Sequence, residues 1–242
     1  MLKLLKYELI GSYRQYLLTF LIFLMGCIVL PFVSTGLGQM LSGFFIIAIF
    51  GIAISILVNI ILAYHNSMFK KPGYLTLTLP VTSSQVVISK VIGALIWSTI
   101  ASIILFIGMG ILMFIMTEAS ISDFISGIGP FFNQLMPYLG SILGQLAIMI
   151  IELIATILSF YFTITFINTR FVPKYKALVG VAGYFIVAML GGYLISMPFV
   201  TDFMISLSET GATITILLAN IVMILGFFLG TKYLIDTQIE VE

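Results

Sequence analysis

The sequence predicts an all-α integral membrane protein with six transmembrane helices, an N-terminal interfacial amphipathic helix, and both termini in the cytoplasm. Three observations carry this expectation. Of the 242 residues, 61% are hydrophobic and 8% charged, with a mean hydropathy of +1.25, whereas soluble domains are roughly 25% charged. Apolar runs recur along the chain at or above the ~20 residues that cross a hydrocarbon core. All ten Lys and Arg residues fall at the N-terminus, in alternate connections between those runs, or at the end of the last run.

At the N-terminus, Lys3, Lys6 and Arg14 stand among Leu2, Leu4, Leu5, Leu9 and Ile10. Leucines at helical spacing beside basic residues predict a helix over 1–15 lying in the membrane surface. A basic flank that only orients the first span is the other reading. Tyr16–Val33 is longer than a signal-peptide core, and no small-x-small cleavage site follows it, so it reads as a retained first span. Five further spans are expected at about 43–64, 91–116, 138–167, 177–197 and 212–233. Pro137 or Gly140 marks where the long fourth begins.

The charges assign the sides. Lys3, Lys6, Arg14, Lys70, Lys71, Lys90, Arg170, Lys174, Lys176 and Lys232 lie at the N-terminus or after spans two, four and six. The opposite loops, 34–42, 117–137 and 198–211, carry Glu118, Asp123, Asp202 and Glu209 and no base. The positive-inside rule then places both termini in the cytoplasm of a cell-membrane protein. Phe131 and Phe132 beside Pro130 and Pro137, and Phe199 and Phe203, let the second and third outer loops either dip into the interface or lie on its surface. The low-charge, Ile-rich composition suggests a bacterial, Gram-positive source.

Composition and pattern exclude several functions. No basic patch interleaved with aromatics points to nucleic acid. The single cysteine, Cys27, rules out an intrachain disulfide or a cysteine-pair metal site. One histidine, His65, rules out HExxH, and its place at the end of span two is that of an interfacial residue. Gly226-Phe-Phe-Leu-Gly230-Thr-Lys232 only superficially resembles a phosphate-binding loop and lies in an apolar run, so an ATPase site is not expected in this chain. An intramembrane enzyme would need at least two catalytic groups at one depth, and Glu152 alone does not provide them.

Glu152 is the chemical anomaly, flanked by Ile148–Ile151 and Leu153-Ile154 in span four. A mid-bilayer acid costs about 2.5–3.5 kcal/mol even on the lenient insertion scale, so it should face protein or water and be paired or protonated. Asn220 in span six is a possible partner, and Gln145 and Thr156 flank it on its own span. The group is either a polar point on a translocation path or a carboxyl that locks two helices together. Gly140-xxx-Gly144 and Gly226-xxx-Gly230 have the spacing of close helix packing, within or between chains.

The connection from Lys70 to Lys90, KKPGYLTLTLPVTSSQVVISK, is the longest on the basic side. Pro72-Gly73 breaks the preceding helix. Tyr74–Leu79 alternates, but no sheet is available for a strand to join, and a short amphipathic helix against the membrane fits better. An ordinary loop whose leucines dip into lipid is the alternative. Pro80 ends the segment, and Thr82-Ser83-Ser84-Gln85 has the form of a capping box opening the next helix.

The stretch GYLTLTLPVTSSQVVISKVIGAL resembles the segment after the second span of ABC-2-type permeases, the membrane subunits of ATP-binding-cassette exporters. There a leucine-rich run, Leu-Pro-Val-Ser/Thr and a helix bearing a lysine form the cytoplasmic coupling helix that fits a groove on the ATPase. The matching positions here are Gly73, Tyr74, Leu75, Leu77, Leu79, Pro80, Val81, Thr82 and Lys90. Many relatives carry a charged residue at the turn, where this chain has Thr82-Ser83-Ser84. The resemblance implies a pair of ATPase subunits binding ATP and Mg, a second permease subunit (identical or a paralogue), and outward movement of a small amphipathic or antimicrobial-type peptide or a hydrophobic compound. Read from the residues alone, a proton-coupled transporter or channel using Glu152 stands beside it.

Overall fold

The computed structural model describes residues 2–33, 38–69, 82–116, 122, 126, 129–130, 133–169, 179–180, 182–186, 189, 193, 197–207 and 209–237. These are almost entirely helical. Six helices are continuous: α1 (Leu2–Val33), α2 (Gly38–Phe69), α3 (Ser83–Met116), α4 (Leu139–Ile167), α5 (Pro198–Ser206) and α6 (Glu209–Thr237). Five stretches are long and apolar enough to cross a membrane: Leu4–Val29, Ile49–Phe69, Ser83–Ile115, Asn133–Ile167 and Gly211–Thr237. The expected span 177–197 falls partly outside the described residues, and its described members before Met197, among them 182–186, are helical.

The chain divides into two compact units. One holds Leu5–Ile60 and Gly93–Leu146; the other holds Met1–Leu4, Ile61–Ile92 and Ala147–Glu242.

In the first unit, α1 and α3 run side by side in the same direction. The Cγ of Glu8 lies 3.3 Å from where a Cβ on Gly93 would stand, Trp97 donates its indole N–H to the Ser12 hydroxyl at 3.0 Å, and Phe23 and Cys27 press on Gly108. Three of these pairs, 8 with 93, 12 with 97 and 23 with 108, are each 85 positions apart. A constant offset means parallel helices in fixed register. Tyr16 stacks on Trp97 with centroids 4.5 Å apart and planes 5° from parallel. α2 runs antiparallel to α1: Asn59 and Ser55 meet Thr19, and Ile52 packs with Phe23, Cys27 and Leu112.

The N-terminal segment differs from the expected surface helix. α1 continues without a break at 15/16, because Ser12, Tyr16, Phe20, Phe23 and Cys27 form one buried stripe at steps of three and four residues. A bend after Gln15 would pull Ser12 away from Trp97. Helical spacing of leucines cannot separate a surface helix from the first turns of a span.

The second unit gathers the last turns of α2 and the first of α3 with α4 from Ala147 onward, α5 and α6, while the start of α4 and the turn before it belong to the first unit. Pro137 lies in a 3-10 turn, Met136–Tyr138, that leads directly into α4. Along α4, Phe160 stacks on Tyr184 at 4.3 Å, Thr163 approaches Gly183 and Ile167 meets Gly180. Rising numbers on one side pair with falling numbers on the other, so Gly180, Gly183 and Tyr184 follow one another antiparallel to α4. Gly230 admits the Phe162 ring, which would stand 2.8 Å from a Cβ there, whereas Gly226 has nothing within 4 Å. Of that glycine pair, therefore, one serves a contact within the chain. Phe199 and Phe203 of the third expected outer loop belong to the nine-residue α5.

Candidate coupling site

Residues 70–81, with Gly73, Tyr74, Leu75, Leu77, Leu79, Pro80 and Val81, lie outside the described residues. What the structure describes is how the two ends of that segment are anchored. Thr82 caps α3: the Gln85 backbone N–H donates to the Thr82 hydroxyl, and the Thr82 N–H donates to the Gln85 side-chain oxygen, both at 3.4 Å. This reciprocal pair is the predicted capping box, and it satisfies two amides that a helix start otherwise leaves open. At the next position, the Ser83 hydroxyl donates to the carboxylate of Asp236 in the last turn of α6.

Two turns into α3, Lys90 is only 3% exposed. Its ammonium donates to the Ser67 hydroxyl of α2 at 2.5 Å and lies 6.0 Å from the centre of the Tyr64 ring. Ser67 suits this role because its own proton is directed to the Ala63 carbonyl at 2.6 Å, leaving lone pairs for the ammonium. The Tyr64 ring stacks on Tyr161 of α4 at 3.9 Å and 11°. Its hydroxyl lies 2.8 Å from that of Thr165. Thr165 donates to the Tyr161 carbonyl at 2.7 Å, so Tyr64 is the donor in that pair. The Tyr161 hydroxyl in turn donates to the Lys90 carbonyl at 3.3 Å. The circuit Lys90–Ser67–Tyr64–Tyr161–Lys90 thus joins three helices in one buried knot.

Lys90 is therefore not a surface contact. Its charge is used inside the chain, holding the end of α2 to the start of α3, while Tyr64 and Tyr161 bind both to α4. Tyr64, Ser67, Tyr161, Thr165 and Asp236 were not singled out from the sequence. Ser67 lies just beyond the expected end of span two and Tyr64 at it, and tyrosines near interfaces are ordinary. Only their meeting gives them a role. The same holds for Thr19, Ser55 and Asn59, where the buried Asn59 amide donates to the Thr19 hydroxyl at 3.0 Å.

The polar residues expected along the translocation path form no hydrogen-bonded group among the described residues. Glu152 and Gln145 are exposed on α4, and Asn220 is part-exposed on α6. Asn220 does not meet Glu152: its amide donates to the Ile216 carbonyl of its own helix at 3.1 Å. Thr156 donates to the backbone carbonyl of Glu152 at 2.9 Å, and the carboxylate has no hydrogen-bond partner among the described residues. Gly140 and Gly144 are open, with nothing within 4 Å. His65 lies beside Phe69, ring centres 5.9 Å apart. Among the described residues no cluster of His, Cys, Asp and Glu is arranged to hold a metal. Comparison with known protein families, with curated proteins and with solved structures finds no match to this chain.

Proposed function

We propose that this chain is the membrane subunit of an ATP-driven exporter, pairing with a second permease subunit and coupling through residues 70–90 to a separate pair of ATPase chains. It would carry a small amphipathic peptide or hydrophobic compound outward, with both termini in the cytoplasm. ATP and Mg would be bound by the partner, and the chain itself would perform no catalysis. The observation that supports this best is the knot around Lys90. A segment built to receive a push needs both its ends fixed to the spans that must move; Ser67–Lys90 ties α2 to α3, and Tyr161 holds both to α4 through the Tyr64 ring and the Lys90 carbonyl.

The test is a mild-detergent pull-down of tagged protein from its host, beside a variant with Leu75, Leu77 and Leu79 changed to Ser. An ATP-binding chain recovered with the wild type and lost from the variant is the expected result. No ATPase under several detergents would overturn the reading. The second reading, proton-coupled transport through Glu152, draws on the exposed carboxylate in span four. It predicts transport in vesicles holding this chain alone.

A further inference from the structure

The described residues leave a carboxylate without a partner in the apolar part of α4. This helix is 29 residues long, about 43 Å at 1.5 Å per residue, and exceeds a ~30 Å hydrocarbon core. Wherever a 20-residue stretch of α4 is set across that core, Glu152 stays at least about 6 Å inside it, four or more residues from either end. Glu152 and Thr156 share one face of α4, about 40° apart at 100° per residue. Glu152 is exposed, and Met149, 64% exposed, lies one turn before it on the helix.

A carboxylate at that depth requires a proton or a cation. Among the described residues no Lys or Arg stands there. Every Lys and Arg lies before Tyr16 of the first span, in the basic connections, or at the end of the sixth. A second copy would bring another Glu152 and no base at mid-depth. Lipid headgroups carry their amines at the interface, about 15 Å from the bilayer centre.

We propose that the open face of α4 around Glu152 binds the positively charged group of an amphipathic cation, with Met149 against its apolar part. This assigns a cargo class to the exporter proposed above and rests on that reading. The binding test needs no ATPase, so failure here and failure of the exporter reading are separate results.

The probe is tetraphenylphosphonium, with tetraphenylborate as an anion of the same shape. Each is titrated by equilibrium dialysis at pH 7 onto the full chain in phosphatidylcholine nanodiscs, with empty nanodiscs subtracted. Wild type should bind the cation at least about tenfold more tightly than Glu152→Gln, as expected for a charge pair shielded from water. Glu152→Asp should keep most of that difference, and the anion should not distinguish the proteins. Equal cation binding by wild type and Glu152→Gln would overturn the assignment. A loss shared by both probes, or by Glu152→Asp as fully as by Glu152→Gln, would overturn it in favour of a structural role.

Discussion

The parallel register of α1 and α3 makes a sharp prediction at two glycines one step apart on the same helix. In Gly108→Ala the new Cβ would stand 2.5 Å from the Phe23 ring and 3.1 Å from the Cys27 sulfur. Ordinary contact begins at 3.4 Å, so the ring must retreat by about 0.9 Å. Phe23 is 9% exposed and packs with Cys27, Ile52 and Leu112, which hold it in place. Overpacking of this kind costs about 1–3 kcal/mol. At Gly110 a Cβ meets nothing within 4 Å. Both changes gain the same helix propensity, about 1 kcal/mol in soluble helices, so it cancels between them. Gly108→Ala should therefore be less stable than Gly110→Ala by about 1–3 kcal/mol. The single tryptophan, Trp97, sits on the α1–α3 seam against Tyr16 and reports its opening by fluorescence during denaturing-detergent titration. Phe23→Leu, which removes the offending ring atoms, should recover most of the loss in the double variant. If Gly108→Ala proves as stable as Gly110→Ala, the register is wrong.

Other expected outcomes are as direct. Thr82→Ala should cost about 1 kcal/mol through loss of the cap, and hydrogen exchange should show faster amides at 83–86 with the rest of α3 unchanged. Thr19→Val removes the acceptor for Asn59 and should destabilise the protein by about 0.6 kcal/mol, the average for interhelical hydrogen bonds in bilayers, and by no more than about 1.7 kcal/mol, read in the same detergent titration. Tyr161→Leu breaks the stack on Tyr64 and the bond to the Lys90 carbonyl. On the exporter reading, the purified complex should keep its ATPase chains but lose cargo-stimulated hydrolysis, and unchanged stimulation would count against the knot as a transmitter.

Much of the plan was legible in the sequence because it depends on local composition. Apolar runs marked the long helices, Pro137 the entry to α4, and Thr82 with Gln85 the start of α3. Boundaries were less legible. α3 opens at the expected capping box, eight residues ahead of the span expected at 91–116, because helical hydrogen bonding continues past the point where hydropathy falls. α1 absorbs the expected surface helix for the same reason. The site was legible in identity and not in arrangement. Lys90 stood out as a base beside a leucine-rich connection, which reads as a surface residue, yet Ser67 and Tyr64 from a helix over twenty positions earlier enclose it. Asn220 looked like a partner for Glu152 by its place in a span, but a side-chain amide one turn from a backbone carbonyl can satisfy itself locally.

By itself, then, the sequence determined that this is a helical chain for an apolar solvent, where its long helices run, and how α3 is capped. Each depends on residues within a few turns of one another. The tertiary structure alone decided which faces meet: α1 beside α3 in parallel, Lys90 enclosed by Tyr64 and Ser67, Glu152 left open. In a membrane the packed and lipid-facing sides of a helix are both apolar, so hydrophobic periodicity does not mark the contact face. Shape decides it instead, where a glycine admits a ring or a hydroxyl finds its acceptor.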